Sequence, residues 1–406
     1  MLVLLLEGAW IVKHSKLREA IRNCFRLREA GIASALIIVG CYVPEQGSSY
    51  LEIGAARTGI CVGNAETWNG LRVNYRDTGL KSVRGVNVQL GPPRRADETQ
   101  IAGIGISLLG NKGDTLFGLI VSPMANEAAD LAGLYIGGYN GALHSMSGIG
   151  FAPTCCLSNY QMCGFHFGLI TAGGAPLITG AIIGVSANGL FDELYSSTQR
   201  TVEANDGGSQ YGVVMSALFS GAFRDSRGLT MSLGGIGVGQ DMVGINVGGL
   251  FAGAGRDLSG VTAALGSVGA GREISGFALS GICLSSGLYG VSEADANTVD
   301  SNARHRDEWG ALTGVAVVGV AARVRHVRGV LASLGYIRAD SLAGLSVSTY
   351  SHIESISNGI SIAAVNRVVR IEGRGMMLGI LNNVESNPWW ARWMPLVGFS
   401  LASSGP

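Results

Sequence analysis

The hydrophobic pattern of this chain is a short unit that repeats along most of its length. A glycine followed by an aliphatic or aromatic residue recurs at steps of 15 to 18 residues within three blocks. The repeat glycines are Gly70, Gly85, Gly103, Gly118, Gly133, Gly148, Gly164 and Gly180, then Gly212, Gly228, Gly244, Gly260 and Gly276, then Gly314, Gly329, Gly344, Gly359 and Gly375. Such a regular period predicts a repeat architecture in which each unit packs against its neighbours.

Every unit has the same internal order. An aliphatic residue commonly lies two positions before the glycine, and large apolar residues alternate with small ones after it, as in residues 244–247 (GINV). A period of two indicates a β-strand. Polar pairs at 256–257 (RD) and 272–273 (RE) precede the next unit and mark a turn. We therefore predict a strand, a tighter second segment and a polar turn, with the large apolar side chains, Val247 and Leu265 among them, facing the core.

Two architectures can use such a unit. In a parallel β-solenoid each unit is one coil, the coils stack about 4.8 Å apart, and all coils share one pattern. In a transmembrane antiparallel β-barrel each unit is a strand with its turn, so the natural repeat is a hairpin of two units. The polar turn occurs at the same phase in every unit. This favours an all-β fold, a repetitive parallel β-solenoid of 15–16-residue coils, and the barrel is the alternative.

The domain boundaries follow from where the repeat begins and ends. Residues 67–385 are predicted to form the β repeat array. Residues 42–66 are predicted to be a linker or N-terminal cap, and residues 386–406 a C-terminal cap.

Two polar segments, 191–211 and 291–309, interrupt the array. Insertions in solenoids form loops on one face, so we predict loops at both places. The step from Gly180 to Gly212 is 32 residues, twice 16. A degenerate coil inside the first segment is therefore an alternative.

Composition narrows the function classes. The 406 residues include 29 basic and 29 acidic ones, so the formal net charge is zero, and hydrophobic residues make up 47%. High hydrophobicity without net charge argues against intrinsic disorder. The lack of a basic excess argues against a nucleic-acid partner. Glycine contributes 63 residues without a three-residue period, which excludes collagen.

The N-terminus has the pattern of an export signal. Basic residues spread over 13–28 precede the uncharged apolar run 30–40, and Cys41 follows. This layout is typical of a secretory signal, and the run is too short for a transmembrane helix. Residues 38–41 (IVGC) resemble a bacterial lipoprotein box, in which the cysteine sulfur receives the lipid. We predict a signal or lipoprotein-type export segment over residues 1–41 with lipidation at Cys41; a plain cleaved signal and a buried helix are the alternatives.

The C-terminal segment is rich in tryptophan and proline. Three of the six tryptophans fall within residues 387–399. The last coil of a solenoid exposes apolar side chains and an unpaired edge, which must be covered. Bulky side chains, with Pro388 and Pro395 unable to continue a ladder, suit a cap. An aromatic patch at a membrane interface is the alternative.

The last unit and this cap together resemble a known family. Residues 375–382 follow the pattern G-φ-x-φ-G-φ-x-N, and residues 387–399 read NPWWARWMPLVGF. Both are similar to the bacterial surface-repeat proteins known from Leptospira and other envelope-bearing bacteria, and weaker matches extend the resemblance over most of residues 56–400. In this chain the closing Asn is mostly replaced by Gly, Ser or Ala. The resemblance implies secretion and a place at the cell surface or outer membrane of a bacterium, and no particular activity.

No catalytic motif stands out. The chain contains no P-loop, HExxH motif, nucleophile elbow or EF-hand loop. The run 235–239 (GIGVG) is expected by chance in a glycine-rich repeat, and His305 lies in a charged stretch typical of a solvated loop. No CxxC spacing supports a metal site, and no cofactor is predicted.

We therefore predict a non-enzymatic, exported cell-envelope protein that acts as a structural or adhesive scaffold. Its expected partners are the membrane, through the lipid anchor, and an unidentified protein or glycan. The alternatives are a porin-like outer-membrane barrel and an enzyme whose site lies in the two insertions.

Overall fold

The computed structural model shows an all-β protein in which one sheet winds into a parallel β-solenoid of about 16 turns. It describes residues 39–40, 50–76, 79–91, 99–173, 177–188, 208–287 and 310–401. Gly228, Gly244 and Gly260 pair in register on successive parallel strands. The predicted solenoid is confirmed. The barrel alternative is wrong, because a barrel of this kind requires neighbouring strands to run antiparallel.

The strands are short because each coil turns a corner every few residues. Where the chain stays extended through the corners, one strand spans several coils, as β7 does. The strands are β1 Val39–Gly40, β2 Tyr50–Ala55, β3 Thr58–Gly63, β4 Thr67–Asn74, β5 Ser82–Gln89, β6 Gln100–Ser107, β7 Asn111–Ala152, β8 Cys155–Ser158, β9 Gln161–Gly173, β10 Leu177–Asn188, β11 Ser209–Ala222, β12 Ser226–Ser232, β13 Gly235–Val238, β14 Met242–Gly248, β15 Phe251–Ala254, β16 Asp257–Ala264, β17 Ser267–Ala270, β18 Glu273–Ser280, β19 Cys283–Ser286, β20 Ala311–Val318, β21 Ala321–Ser333, β22 Tyr336–Ile356, β23 Ile360–Ile371, β24 Met376–Val384 and β25 Trp393–Gly398.

The repeat glycines stack on one another along the solenoid. From Gly70 to Gly344 each has a φ between +104° and +153°, a region that L side chains rarely adopt. A Cβ on each would overlap the carbonyl oxygen of the preceding glycine in the stack. Gly59 extends the stack by one rung, although the sequence pattern did not include it. At the other end Gly375 departs from it: its φ is not positive, and a Cβ there would meet the side chains of Ile356 and Ile371.

The core is a column of aliphatic side chains inside the coils. The residue two positions before the repeat glycine is buried in most rungs. This column contains Val83, Ile101, Leu116, Leu131, Met146, Met162, Ile178, Met242, Leu258, Ile274, Leu312, Val327 and Leu342. Gln210 and Ser226 replace the aliphatic residue between Ile178 and Met242, and there the buried apolar side chains divide into two clusters.

The predicted inward orientation of the large apolar residues after the glycine is wrong. Val247 is 37% exposed and Leu265 is 79% exposed, whereas Asn246 and Thr262 are buried. Successive side chains of a strand point to opposite faces, so the residue two after the glycine shares the inner face with the buried aliphatic residue two before it. The first and third residues after the glycine therefore point outward.

The strands that flank each polar segment pair directly with each other. Gly180 pairs directly with Gly212, and Gly276 pairs directly with Gly314. The alternative of a degenerate coil in the first segment is therefore wrong. Residues 209–211 belong to β11, and most of both predicted insertions lies outside the described residues.

Antiparallel strands close both ends of the parallel ladder. At the N-terminal end β2 pairs antiparallel with β3, and β3 begins the parallel stack by pairing with β4. At the C-terminal end β25 pairs antiparallel with β24 and covers its edge. The Asn387 side chain donates to the Phe399 carbonyl and accepts from the Leu401 amide. Trp389 and Trp390 are mostly exposed, so the antiparallel strand covers the last rung more than these indoles do.

Candidate functional site: an exposed apolar face

The outward side chains of the glycine-bearing strands form two adjacent columns of apolar residues. These are the first and third residues after each stacked glycine, such as Ile245 and Val247 after Gly244. We call the two columns together the apolar face. Parallel pairing keeps them aligned, since Leu229, Ile245 and Val261 occupy successive positions of the first column. Their exposure varies along the ladder: Ile245 is 51% exposed and Phe277 is 40% exposed, whereas others, such as Leu229, are half-buried.

Neither column contains a polar or charged residue from Ile60 to Ile362 in the described rungs. The first column contains Ile60, Leu71, Val86, Ile104, Leu119, Leu134, Ile149, Phe165, Ala181, Val213, Leu229, Ile245, Val261, Phe277, Val315, Val330, Leu345 and Ile360. The third-residue column contains Val62, Val73, Val88, Ile106, Val121, Ile136, Phe151, Phe167, Ile183, Met215, Met231, Val247, Ala263, Leu279, Val317, Ala332, Val347 and Ile362. The face therefore has the length of the ladder.

A shallow groove runs along one edge of this face, beside the third-residue column. It has a volume of about 460 Å³ and is lined almost entirely by apolar atoms. Phe167, Ile183, Met215, Met231 and Val247 form one wall from the third-residue column, and Leu233 is among the residues of the opposite wall. The methionines are unbranched and adapt their shape to a partner surface.

Charged residues occupy the turn that borders the face. The Arg256 guanidinium donates to both carboxylate oxygens of Asp241 at 3.0 and 2.7 Å, and Arg272 binds Asp257 one rung further in the same way. The hydrogen bond with Asp257 raises the pKa of Arg272. Since both of these arginines are matched by an acid on the preceding rung, the border has little net charge at the central rungs.

Inside the coils, polar side chains form short ladders. The Asn111 amide donates to Asn126 at 2.9 Å, and Asn126 donates to Asn140 at 2.8 Å. Asn366 donates to Asn382 at 2.7 Å. Asparagine ladders therefore occur in two stretches of the array, although most units lack the residue. Hydrogen bonding between rungs satisfies most of these buried amide groups, although Asn111 Oδ1 has no partner among the described residues.

A buried tyrosine–histidine pair lies in the same interior. The Tyr135 hydroxyl and His166 Nδ1 are 2.9 Å apart, and His166 Nε2 is 3.1 Å from the Cys163 carbonyl. Because a carbonyl only accepts, Nε2 donates and Nδ1 accepts from the tyrosine. Burial lowers the pKa of His166 to about 4 and raises that of Tyr135. Gly150 lies between the two rings and has no side chain to separate them. The pair is enclosed, so its place in the structure indicates a packing role.

The cysteines differ in exposure. Cys156 is buried and burial raises the pKa of its thiol to about 12, and burial also raises the pKa of Cys61. Cys163 and Cys283 are exposed. The raised pKa values of Cys61 and Cys156 favour the protonated thiol, which is a poor nucleophile.

The other sequence-based candidates are dispersed. Cys41 and His305 lie outside the described residues. Residues 235–238 of the GIGVG run form β13, an ordinary strand of the ladder. Within the described ranges, no group of three His, Cys, Asp or Glu residues could hold a metal ion. No helix in the same part of the chain is long and apolar enough to span a bilayer.

The apolar face was missed because its residues were assigned to the core. The signal was present in the sequence: Met242 and Ile245 lie three positions apart, so in a strand they point to opposite faces. Only one of the two can be inside. The buried residue is Met242.

The fold and this face define a class of protein, a parallel β-solenoid with one apolar side exposed along its length. Comparisons of the chain with protein-family models, curated proteins and solved structures find no match.

Proposed function

We propose that the protein is a non-enzymatic scaffold that is exported and held at the surface of a bacterium by a lipid on Cys41. The observation that supports a scaffold is the ladder itself. Parallel coils in register from Gly59 to Gly344 make a rod of about 75 Å, from about 16 turns at about 4.8 Å each. In such a rod each coil contacts only the neighbouring coils along the axis, and equivalent side chains recur at regular intervals.

The sequence supports the location. The basic stretch 13–28, the apolar run 30–40 and Cys41 have the order of a lipoprotein signal. A single acyl chain gives only marginal membrane binding, so stable anchoring takes a second chain or another contact. The proposal also includes an adhesive role, in which the rod binds a protein or glycan ligand.

Radiolabelled palmitate in a Gram-negative host tests the anchor. We expect the wild-type chain to incorporate the label and Cys41→Ala to lose it. Cys24→Ala removes a nearby thiol outside the box and should label like the wild type. Equal labelling of wild type and Cys41→Ala would contradict the anchor.

A membrane-impermeant maleimide tests the surface location. In a variant with Cys155→Ser and Cys163→Ser, Cys283 is the exposed thiol among the described residues. We expect it to react on intact cells, and a matched variant that also carries Cys283→Ser to react much less. Reaction of Cys283 only after cell lysis would argue against surface display.

A further inference from the structure

The apolar face is larger than a monomer in water usually leaves uncovered. It is about 75 Å long, and two columns about 7 Å apart with their side chains make it about 12 Å wide. Its outline is therefore about 900 Å², whereas the largest apolar patch of a typical monomer is about 300–600 Å². The central rungs are continuous across it, because Ile245, Val261 and Phe277 are paired and all are exposed.

The outward direction of these side chains is built into the coil. The glycine-bearing strand already contributes Met242, Leu258 and Ile274 to the core, and these residues are fully buried. The residues one and three after the glycine cannot reach the interior without reversing the strand. The exposed face is thus a consequence of the fold, and the described strands cannot cover it by turning their own side chains.

We propose that a second copy of this chain covers the apolar face, so that two solenoids pack face to face as a twofold-symmetric dimer. A twofold interface uses the same patch on both subunits, which suits a face of uniform composition. Two sheets that pack in this way lie about 10 Å apart with interdigitated side chains. A partner that covers the whole face needs an apolar surface as long as the ladder, with side chains at the same spacing. A second copy of this chain carries such a surface.

The area supports a stable pair. Covering about 900 Å² on each copy gives about 1,800 Å² in total, within the range of specific, stable interfaces. The groove lined by Met215 and Met231 runs along one edge of this area and provides a depression for side chains of the partner.

Charge favours a second copy over an anionic membrane. Attraction to anionic lipid requires clustered basic residues, and neither column of the apolar face contains one in the described rungs. The bordering arginines, Arg256 and Arg272, are each bound to an acid of the preceding rung. Beside the central rungs, therefore, these arginines add little repulsion between two copies. The proposal concerns the purified protein and does not depend on where it is located.

Light scattering on the purified full chain, coupled to size-exclusion chromatography, tests the dimer at micromolar concentration. We expect the wild type to have the mass of two 42.0 kDa chains. The double variant Ile245→Lys/Val261→Lys places two charges at the centre of the face and should raise the dimer dissociation constant about 100-fold or more. The matched control Leu143→Lys/Phe223→Lys changes two exposed apolar residues outside the face and should remain dimeric.

Circular dichroism must show that the variants keep their β spectrum. If the lysine variant does not fold, Ile245→Thr/Val261→Thr retains β-branched shape at both positions and should still weaken the dimer. A monomeric wild type, or a folded face variant that stays dimeric, would overturn the proposal. Flotation with phosphatidylcholine or phosphatidylglycerol vesicles distinguishes a membrane from a second copy. If the wild type is a monomer that floats with the vesicles, and the face variant does not float, the face is assigned to a membrane.

Discussion

The carbonyl oxygen of Gly244 occupies the space that a Cβ on Gly260 would need. The two residues pair on β14 and β16, and both have φ values above +100°. The same relationship recurs along the stack and explains why glycine alone fits at this position in each coil.

This relationship predicts a large effect for Gly260→Ala. The substitution combines a backbone conformation that costs about 1–3 kcal/mol for a non-glycine residue with a clash against the neighbouring rung. We expect the free energy of unfolding to fall by about 3 kcal/mol or more in urea denaturation. Gly237→Ala is the matched control, because a Cβ there has no atom within 4 Å. It should change stability by less than about 1 kcal/mol, and an equal loss in both variants would refute the steric argument.

The orientation of the apolar residues predicts opposite outcomes for two leucines seven positions apart. Leu265 is 79% exposed and Leu258 is fully buried. Leu265→Asp should lower the free energy of unfolding by about 0.5 kcal/mol or less, as surface substitutions usually do. Leu258→Asp puts an unpaired carboxylate in the core and should cost at least about 4 kcal/mol or prevent folding. Thermal melts measure both, and a severe loss for Leu265→Asp would restore the inward assignment.

A buried hydroxyl predicts a stabilising substitution. The Thr262 Oγ1 is buried and has no hydrogen-bond partner among the described residues. Thr262→Val has nearly the same shape and removes the unsatisfied group, whose burial costs about 1–3 kcal/mol. We expect a higher Tm. The exposed Thr313→Val is the control and should change Tm little; a lower Tm for Thr262→Val would show that the hydroxyl is satisfied.

The buried histidine predicts a pH dependence. The pKa of His166 is lowered from 6.5 to about 4 by burial, so between these values the unfolded chain binds a proton that the folded chain does not. Stability is therefore highest above pH 6.5 and falls as the pH decreases toward 4. The difference between the two pKa values corresponds to about 3 kcal/mol of unfolding free energy. Melts at pH 7 and pH 4.5 measure the loss.

His166→Gln separates this histidine from the other titrating groups. Glutamine can donate to the Cys163 carbonyl and accept from Tyr135, but it does not titrate. The variant should lose less stability between pH 7 and pH 4.5 than the wild type. The exposed His144→Gln should behave like the wild type, and the same pH slope in all three proteins would contradict the assignment.

Much of the fold was predictable because its signals are local. The glycine spacing predicted the coil length, the alternation predicted strands, and the constant phase of the polar turn favoured parallel coils. Each follows from backbone geometry within about sixteen residues. The direct pairing of Gly180 with Gly212 was not predictable, because the polar segment between them has the length of a coil and only pairing shows which strands meet.

The amino-acid sequence by itself determined that this chain repeats a strand and turn, and that glycine occupies one position of every coil. Only the tertiary structure decided which face of the strand is inside. Both faces carry large apolar residues, Met242 on one and Ile245 on the other, so hydrophobicity cannot choose between them. Closure of the coil decides, since the strand face that carries Met242 turns toward the other segments of the coil and the face that carries Ile245 turns toward solvent.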